Sequence, residues 1–154
     1  MKKRNITIIV VLLIITAIIA AIYLLGRNYV PKGKVSIVFN EKSVSVDPFK
    51  AASVNVNGTT VNGKGKEKEI STTGVTLLSV IQMAGVSDSD FSKALVVSSD
   101  EYSAELTSAE ILDPDIAFLI KSANDDDTES IKLIVFGDSD SKRQVKNVER
   151  IELK

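Results

Sequence analysis

The chain has 154 residues, 44% of them hydrophobic, with 19 Lys and Arg against 20 Asp and Glu and with neither His nor Cys. Without cysteine there is no disulfide framework, thiol nucleophile, thiolate-bound metal or acylation site, and without histidine no imidazole ligand or imidazole general base. Once the N-terminal apolar run is set aside, the composition is that of an ordinary globular domain, and the length suits one.

Ile6 to Leu25 is apolar throughout except for Thr7, Thr16 and Tyr23. As a helix rising about 1.5 Å per residue it covers about 30 Å, the thickness of a bilayer's hydrocarbon. A cleaved signal peptide is the alternative, with an apolar core of about 7 to 15 residues closed by a small-x-small site. Here Ala20 and Ala21 are adjacent and Ile22 to Leu25 follow them, so no such site closes the run. The expectation is a membrane-spanning helix at 6–25 behind a cytoplasmic stretch at 1–5. Lys2, Lys3 and Arg4 precede it and Arg27, Lys32 and Lys34 follow, so the flanking charges nearly tie. A short basic N-terminus ahead of a first hydrophobic segment is the signal-anchor arrangement, which places the rest outside, as in a single-pass bacterial surface protein. Residues 26–34, with Pro31 and Gly33, read as a linker, and 35–154 as the domain. From Asn28 onward 15 basic residues face 20 acidic ones, a net charge of −5; such a domain does not bind nucleic acid through its phosphates.

Alternating apolar and polar residues mark strands at Val35 to Phe39, Val44 to Asp47 and Val54 to Asn57. Asn57-Gly58 and Asn62-Gly63 read as hairpin turns, because Asn and Gly tolerate positive φ. Lys64 to Glu69 alternates in charge and reads as an exposed strand or loop. Thr76 offers an N-cap, Leu77, Ile81 and Ala84 share a helical face, and Gly85 supplies a stop. Strands follow at Leu95 to Val97 and Tyr102 to Leu106, and Thr107 with Glu110 has the spacing of a capping box on a short helix. Ile116 to Ile120, Ile131 to Phe136 and Val145 to Leu153 are the closing strands, with an acidic loop at Asn124 to Glu129. Strands, helix, strands, short helix, strands point to an α+β domain.

From Thr73 to Glu152, roughly 80 residues, the order of segments resembles the molybdopterin-binding domain of the sulfite oxidase family. Gly74-Val75-Thr76-Leu77 and Ala84-Gly85-Val86 are similar to that family's strand-to-helix unit. Ser98-Ser99-Asp100-Glu101-Tyr102, with Leu106 and Glu110, is similar to its following turn and short helix, and Ile131 to Val135 and Val145 to Ile151 to its closing strands. The resemblance implies a small mixed-sheet domain of this type. The cysteine that would ligate molybdenum should fall upstream of Gly74, and the chain has none. Glu101 stands where the family has a turn glycine and Lys132 where it has an arginine. The resemblance therefore implies the scaffold without its metal site and without a cofactor, since function resides in the site rather than the fold.

The candidate binding residues are Tyr102, matched to the family's tyrosine, and Arg143 and Lys146, two cations able to hold an anionic ligand. Each also has a plain structural reading, as a half-buried strand aromatic and as surface ion-pair partners. Calcium, which takes oxygen ligands, has candidates in Asp138 and Asp140 beside Gly137, and in the clusters Asp88–Asp90 and Asp125–Glu129. None has EF-hand spacing, and solvated loops are the competing reading. Glu101, Glu105 and Glu110 could serve as paired carboxylates, but no aromatic sugar platform accompanies them. The expectation is a membrane-anchored extracytoplasmic module that binds a protein partner or small ligand without catalysis, and the alternative is a carrier domain for a small organic ligand.

Overall fold

The computed structural model describes residues 2–25, 30–124, 126 and 128–154, and of residues 2–7 and 22–25 the helical backbone alone. Residues 26–29 of the expected 26–34 linker, Arg27 among them, the side chains of the flanking cations Lys2, Lys3 and Arg4, and Asp125 and Asp127 of the acidic loop lie outside this description.

The first element, α1 (Lys2–Leu25), is a helix, as its composition demands. The expectation that it crosses a membrane is overturned: among the described residues no helix is long and apolar enough to do so. The single-pass topology with an outside domain, which rested on that span, falls with it.

The alternating segments become strands β1 (Val35–Phe39), β2 (Lys42–Val46), β3 (Val54–Val61), β4 (Glu67–Thr76), β5 (Lys93–Ser98), β6 (Ser103–Thr107), β7 (Ala117–Ala123), β8 (Glu129–Val135) and β9 (Val148–Leu153). They form two sheets, one ordered β2-β1-β9-β5-β6 and the other β3-β4-β7-β8. β1 and β9 run parallel and the other pairs antiparallel. Between the sheets lies the main core, with Val35, Ile37, Val96, Leu106 and Ile151 from the first and Val75, Leu119, Leu133 and Val135 from the second.

Two short helices touch each other where β4 and β6 end: α2 (Leu77–Met83), capped by the Thr76 side chain, and α3 (Ser108–Leu112), with both halves of the Thr107–Glu110 capping box formed. They bury Leu77, Val80, Ile81 and Ile111. At seven and five residues they are too short to form a layer of their own. The expectation of an α+β domain is therefore corrected: the domain is mostly β, two sheets packed on one another, although the first of them is mixed.

Asn57-Gly58 is not a turn. Gly58 sits inside β3 opposite Ile70, and a Cβ there would lie 2.8 Å from the Phe136 ring, the close approach that glycine in a strand often marks. The hairpin turns at 62–66, where Asn62 Oδ1 accepts from the Lys64 and Lys66 amides at 2.9 and 3.1 Å. Only Gly74 to Thr76 of β4 pair with β7. The rest of the β3–β4 hairpin leaves the sheet and folds across its outer face, with Gly58 against Phe136 and the Gly63 Cβ position 3.8 Å from Ser141 Oγ. Beneath it lies a second apolar cluster of Val56, Phe118, Ile120 and Ile134, flanked by Val54, Ile70 and Phe136.

Candidate functional site

Most of the sequence-derived candidates converge on one loop, residues 137–147, that joins β8 to β9. Gly137 opens it at φ +85. Asp138 Oδ2 accepts from Arg143 Nε at 3.0 Å and its Oδ1 from Nη2, while Arg143 Nη1 reaches Glu110 Oε1 at 2.6 Å. Glu110 Oε2 in turn accepts from the Thr107 amide at 2.9 Å. Asp140 Oδ1 accepts from the Lys142 amide at 2.8 Å, and its Oδ2 lies 3.1 Å from Lys142 Nζ. The Tyr102 hydroxyl donates to the Lys142 carbonyl. Tyr102, Arg143, Asp138 and Asp140 are thus brought together, but each is engaged by a neighbour. The constellation pins the loop to α3 and to the start of β6.

The electrostatics agree with that role. Burial pushes the Glu110 carboxyl up, but the Thr107 amide, Arg143 and the Thr107 hydroxyl outweigh it, and its pKa lies below the ordinary value. The Lys142 amide and ammonium hold Asp140 low. Bidentate binding by Asp138, against the cost of burial and with help from Glu110, raises the pKa of Arg143. A carboxylate already shared with a guanidinium has little left to offer a cation, and among the described residues no group of three or more acidic side chains could hold a metal ion. Asp88 accepts from Gln82 Nε2 and Asp90 from the Ser87 amide. Glu105 pairs with Lys93 at 2.9 Å and Glu101 with Arg150 at 3.3 Å, so these two acids point to separate cationic partners.

A larger feature lies elsewhere, a cleft of about 790 Å³ at one edge of the packed sheets. One wall is built by Lys34 ahead of β1, Asp47 and Phe49 after β2, and Asn147 to Glu149 at the start of β9; the other by Lys121 and by Thr128 to Ile131 at the start of β8. Lys121 Nζ sits 5.3 Å from the centre of the Phe49 ring, a cation–π contact joining the walls. Asp47 accepts from the Phe49 amide at 3.1 Å. Asn147, at φ +52, turns the chain into β9 and accepts from the Ser99 amide at 3.0 Å. Lys32, Lys34 and Lys121 are balanced by Asp47, Glu129 and Glu149 on the same lining.

The backbone of β8 is the distinctive part. Successive residues of a strand turn their amides to opposite edges. The Leu133 amide, facing away from β7, donates to Val145 O at 2.8 Å, and Gln144 covers Val135 from both sides: its Nε2 donates to Val135 O at 2.7 Å and its Oε1 accepts from the Val135 amide at 3.4 Å. Ile131 shares this orientation and lines the cleft, but among the described residues no strand or side chain pairs its outer edge. The cleft therefore offers an open stretch of sheet edge between walls of both charges. Ser130 Oγ donates to Ser122 O at 3.2 Å, so the hydroxyl nearest this edge is directed to backbone rather than to a base.

Nothing in the sequence marked this cleft, because its walls come from segments far apart in the chain. Tyr102 and Arg143 take no part in it. Compared with known proteins, the chain matches no protein-family model and no curated protein.

Proposed function

We propose that this protein is an interaction module that binds without catalysis and takes an extended segment of a protein partner into the cleft between its two sheets. The observation that carries the proposal is the uncovered edge of β8 at Ile131, facing a cleft of about 790 Å³. An extended peptide added there continues the second sheet by main-chain hydrogen bonds, with neighbouring pockets reading its side chains. The balanced lining, Lys32, Lys34 and Lys121 against Asp47, Glu129 and Glu149, suits a polar segment carrying both signs of charge better than an apolar cofactor.

The test is site-specific photo-crosslinking in the native cell. A photoreactive residue at Ser130 or Asn147 should capture one polypeptide, joined through a contiguous segment, and the same residue at Ser89 should not. Capture from all three positions alike, or a bound small molecule with no polypeptide, would overturn the proposal; the latter would point to carriage of a small organic ligand.

A further inference from the structure

On the outer face of the second sheet, away from the cleft, Lys132 stands opposite Ile120 and two residues from Ile134, half-buried on the second apolar cluster. The β3–β4 hairpin crosses this face and carries Lys68, opposite Thr60. The 137–147 loop, which meets the hairpin tip at Ser141, carries Lys146. These three ammonium groups come from three separate elements. Lys93, Lys142, Arg143 and Arg150 each hold a carboxylate, whereas among the described residues Lys68, Lys132 and Lys146 hold none. The Leu133 amide donates to Val145 O at 2.8 Å, which sets Lys146 alongside Lys132 at the edge of β8, and Lys68 lies on the hairpin face that carries Val56 and Ile70 onto the same cluster; in keeping with this, burial first and then the charges of Lys68 and Lys146 push the pKa of Lys132 down.

A cluster of one sign is unexpected in a domain whose net charge from residue 28 on is −5. Among the described residues no acidic side chain forms an ion pair with any of the three. Each ammonium brings donors and no acceptor, so the complementary group is an acceptor of concentrated negative charge supplied from outside. We propose that Lys68, Lys132 and Lys146 form a binding site for a multiply charged oxyanion of the phosphate type, distinct from the cleft and independent of what occupies it. The lysine stems add apolar surface around the three ammonium groups, which admits a phosphate on a small organic group as well as the free ion.

The full-length protein is titrated with inorganic phosphate and, separately, with glycerol phosphate, at constant ionic strength set by chloride, while the methyl resonances of Ile120 and Ile134 are followed. The expected result is saturable shifts at these methyls and a rise in unfolding temperature with ligand concentration. K68Q and K146Q, both at exposed positions, should each weaken binding by about tenfold, the loss of one charge-assisted hydrogen bond; K132Q should abolish saturation. K121Q, in the cleft, should titrate as the unaltered protein does. Saturation by phosphate alone assigns the free ion, and tighter saturation by the ester assigns an organic phosphate. Shifts with neither ligand, or K68Q and K146Q titrating like the unaltered protein, would overturn the site whether or not K132Q folds.

Discussion

At Gly74 a side chain would collide with backbone: a Cβ would lie 2.6 Å from Leu119 O and 2.8 Å from Ile120 Cγ2. A carbonyl in a paired strand cannot swing aside as a rotamer can, so G74A is expected to destabilise by about 1 to 3 kcal/mol. G63A, whose nearest neighbour is the Ser141 hydroxyl at 3.8 Å, should stay within about 0.5 kcal/mol; urea midpoints at unchanged slope compare the two. Lys132 gives a prediction of opposite sign. Its pKa in the folded protein lies below the ordinary 10.5, through burial first and then Lys68 and Lys146. Between those two pH values the unfolded chain binds more protons than the folded one, so stability rises with pH across that window and is flat below it. K132M lacks the penalty. In buffer free of phosphate it should be more stable than the unaltered protein at neutral pH, and the difference should shrink as pH approaches 10.5. Equal stabilities at neutral pH would show that Lys132 carries no such cost. The constraint on Gly74 was not legible in the sequence, because it is imposed by Leu119 and Ile120, on a strand distant in the chain. Gly58 was misread as a turn for the same reason: Phe136 fills the space where its side chain would be.

Elements show where local reading succeeds. The caps at Thr76 and Thr107 are formed as their spacing requires, since a cap is decided within four residues of chain. A helix of five residues cannot hold itself, however, and α3 persists through its capping box and through the grip of Arg143 on Glu110. T107A should therefore cost about 1 kcal/mol. E110Q should cost a comparable amount and should also alter the response to acid. The Glu110 carboxyl, raised by burial but lowered further by Thr107 and Arg143, titrates below its ordinary 4.5. Its contribution is thus fully present above 4.5 and is lost as pH falls through the folded value. Chemical denaturation of the unaltered protein between pH 6 and pH 3 should show this extra loss and E110Q should not. The candidates Tyr102, Arg143, Asp138 and Asp140 were legible as a polar cluster beside Gly137. The pairing of Arg143 with nearby carboxylates was legible too; its reach to Glu110 was not, because Glu110 and Thr107, which complete the network, come from another element.

At the scale of the whole molecule, the order of strands and helices was readable and the architecture was not. Periodicity tells which residues face a core, but not that β9 would insert between β1 and β5, nor that both helices would be too short to make a layer. The apolar run at 6–25 was readable as a helix, yet apolarity alone does not fix what surrounds α1. The cleft and the lysine cluster depend on the same unread step, the placing of distant segments side by side. The hairpin β3–β4 is the element on which that placement turns, since it covers the second apolar cluster and brings Lys68 toward Lys132. Its position can be tested without reference to any ligand. The Gly63 Cβ position lies 3.8 Å from Ser141 Oγ, within the reach of a disulfide, and the chain has no cysteine to compete. The double variant G63C with S141C should therefore form one bond on air oxidation and, by closing a loop of about 80 residues, stabilise the oxidised over the reduced form by about 2 to 4 kcal/mol. The lysine site should bind phosphate equally well in both forms, because the bond fixes the hairpin where it already lies. A pair of free thiols that resists oxidation, or a bond that forms and costs stability, would mean that the hairpin does not rest across the sheet, and the lysine cluster would lose one of its three walls.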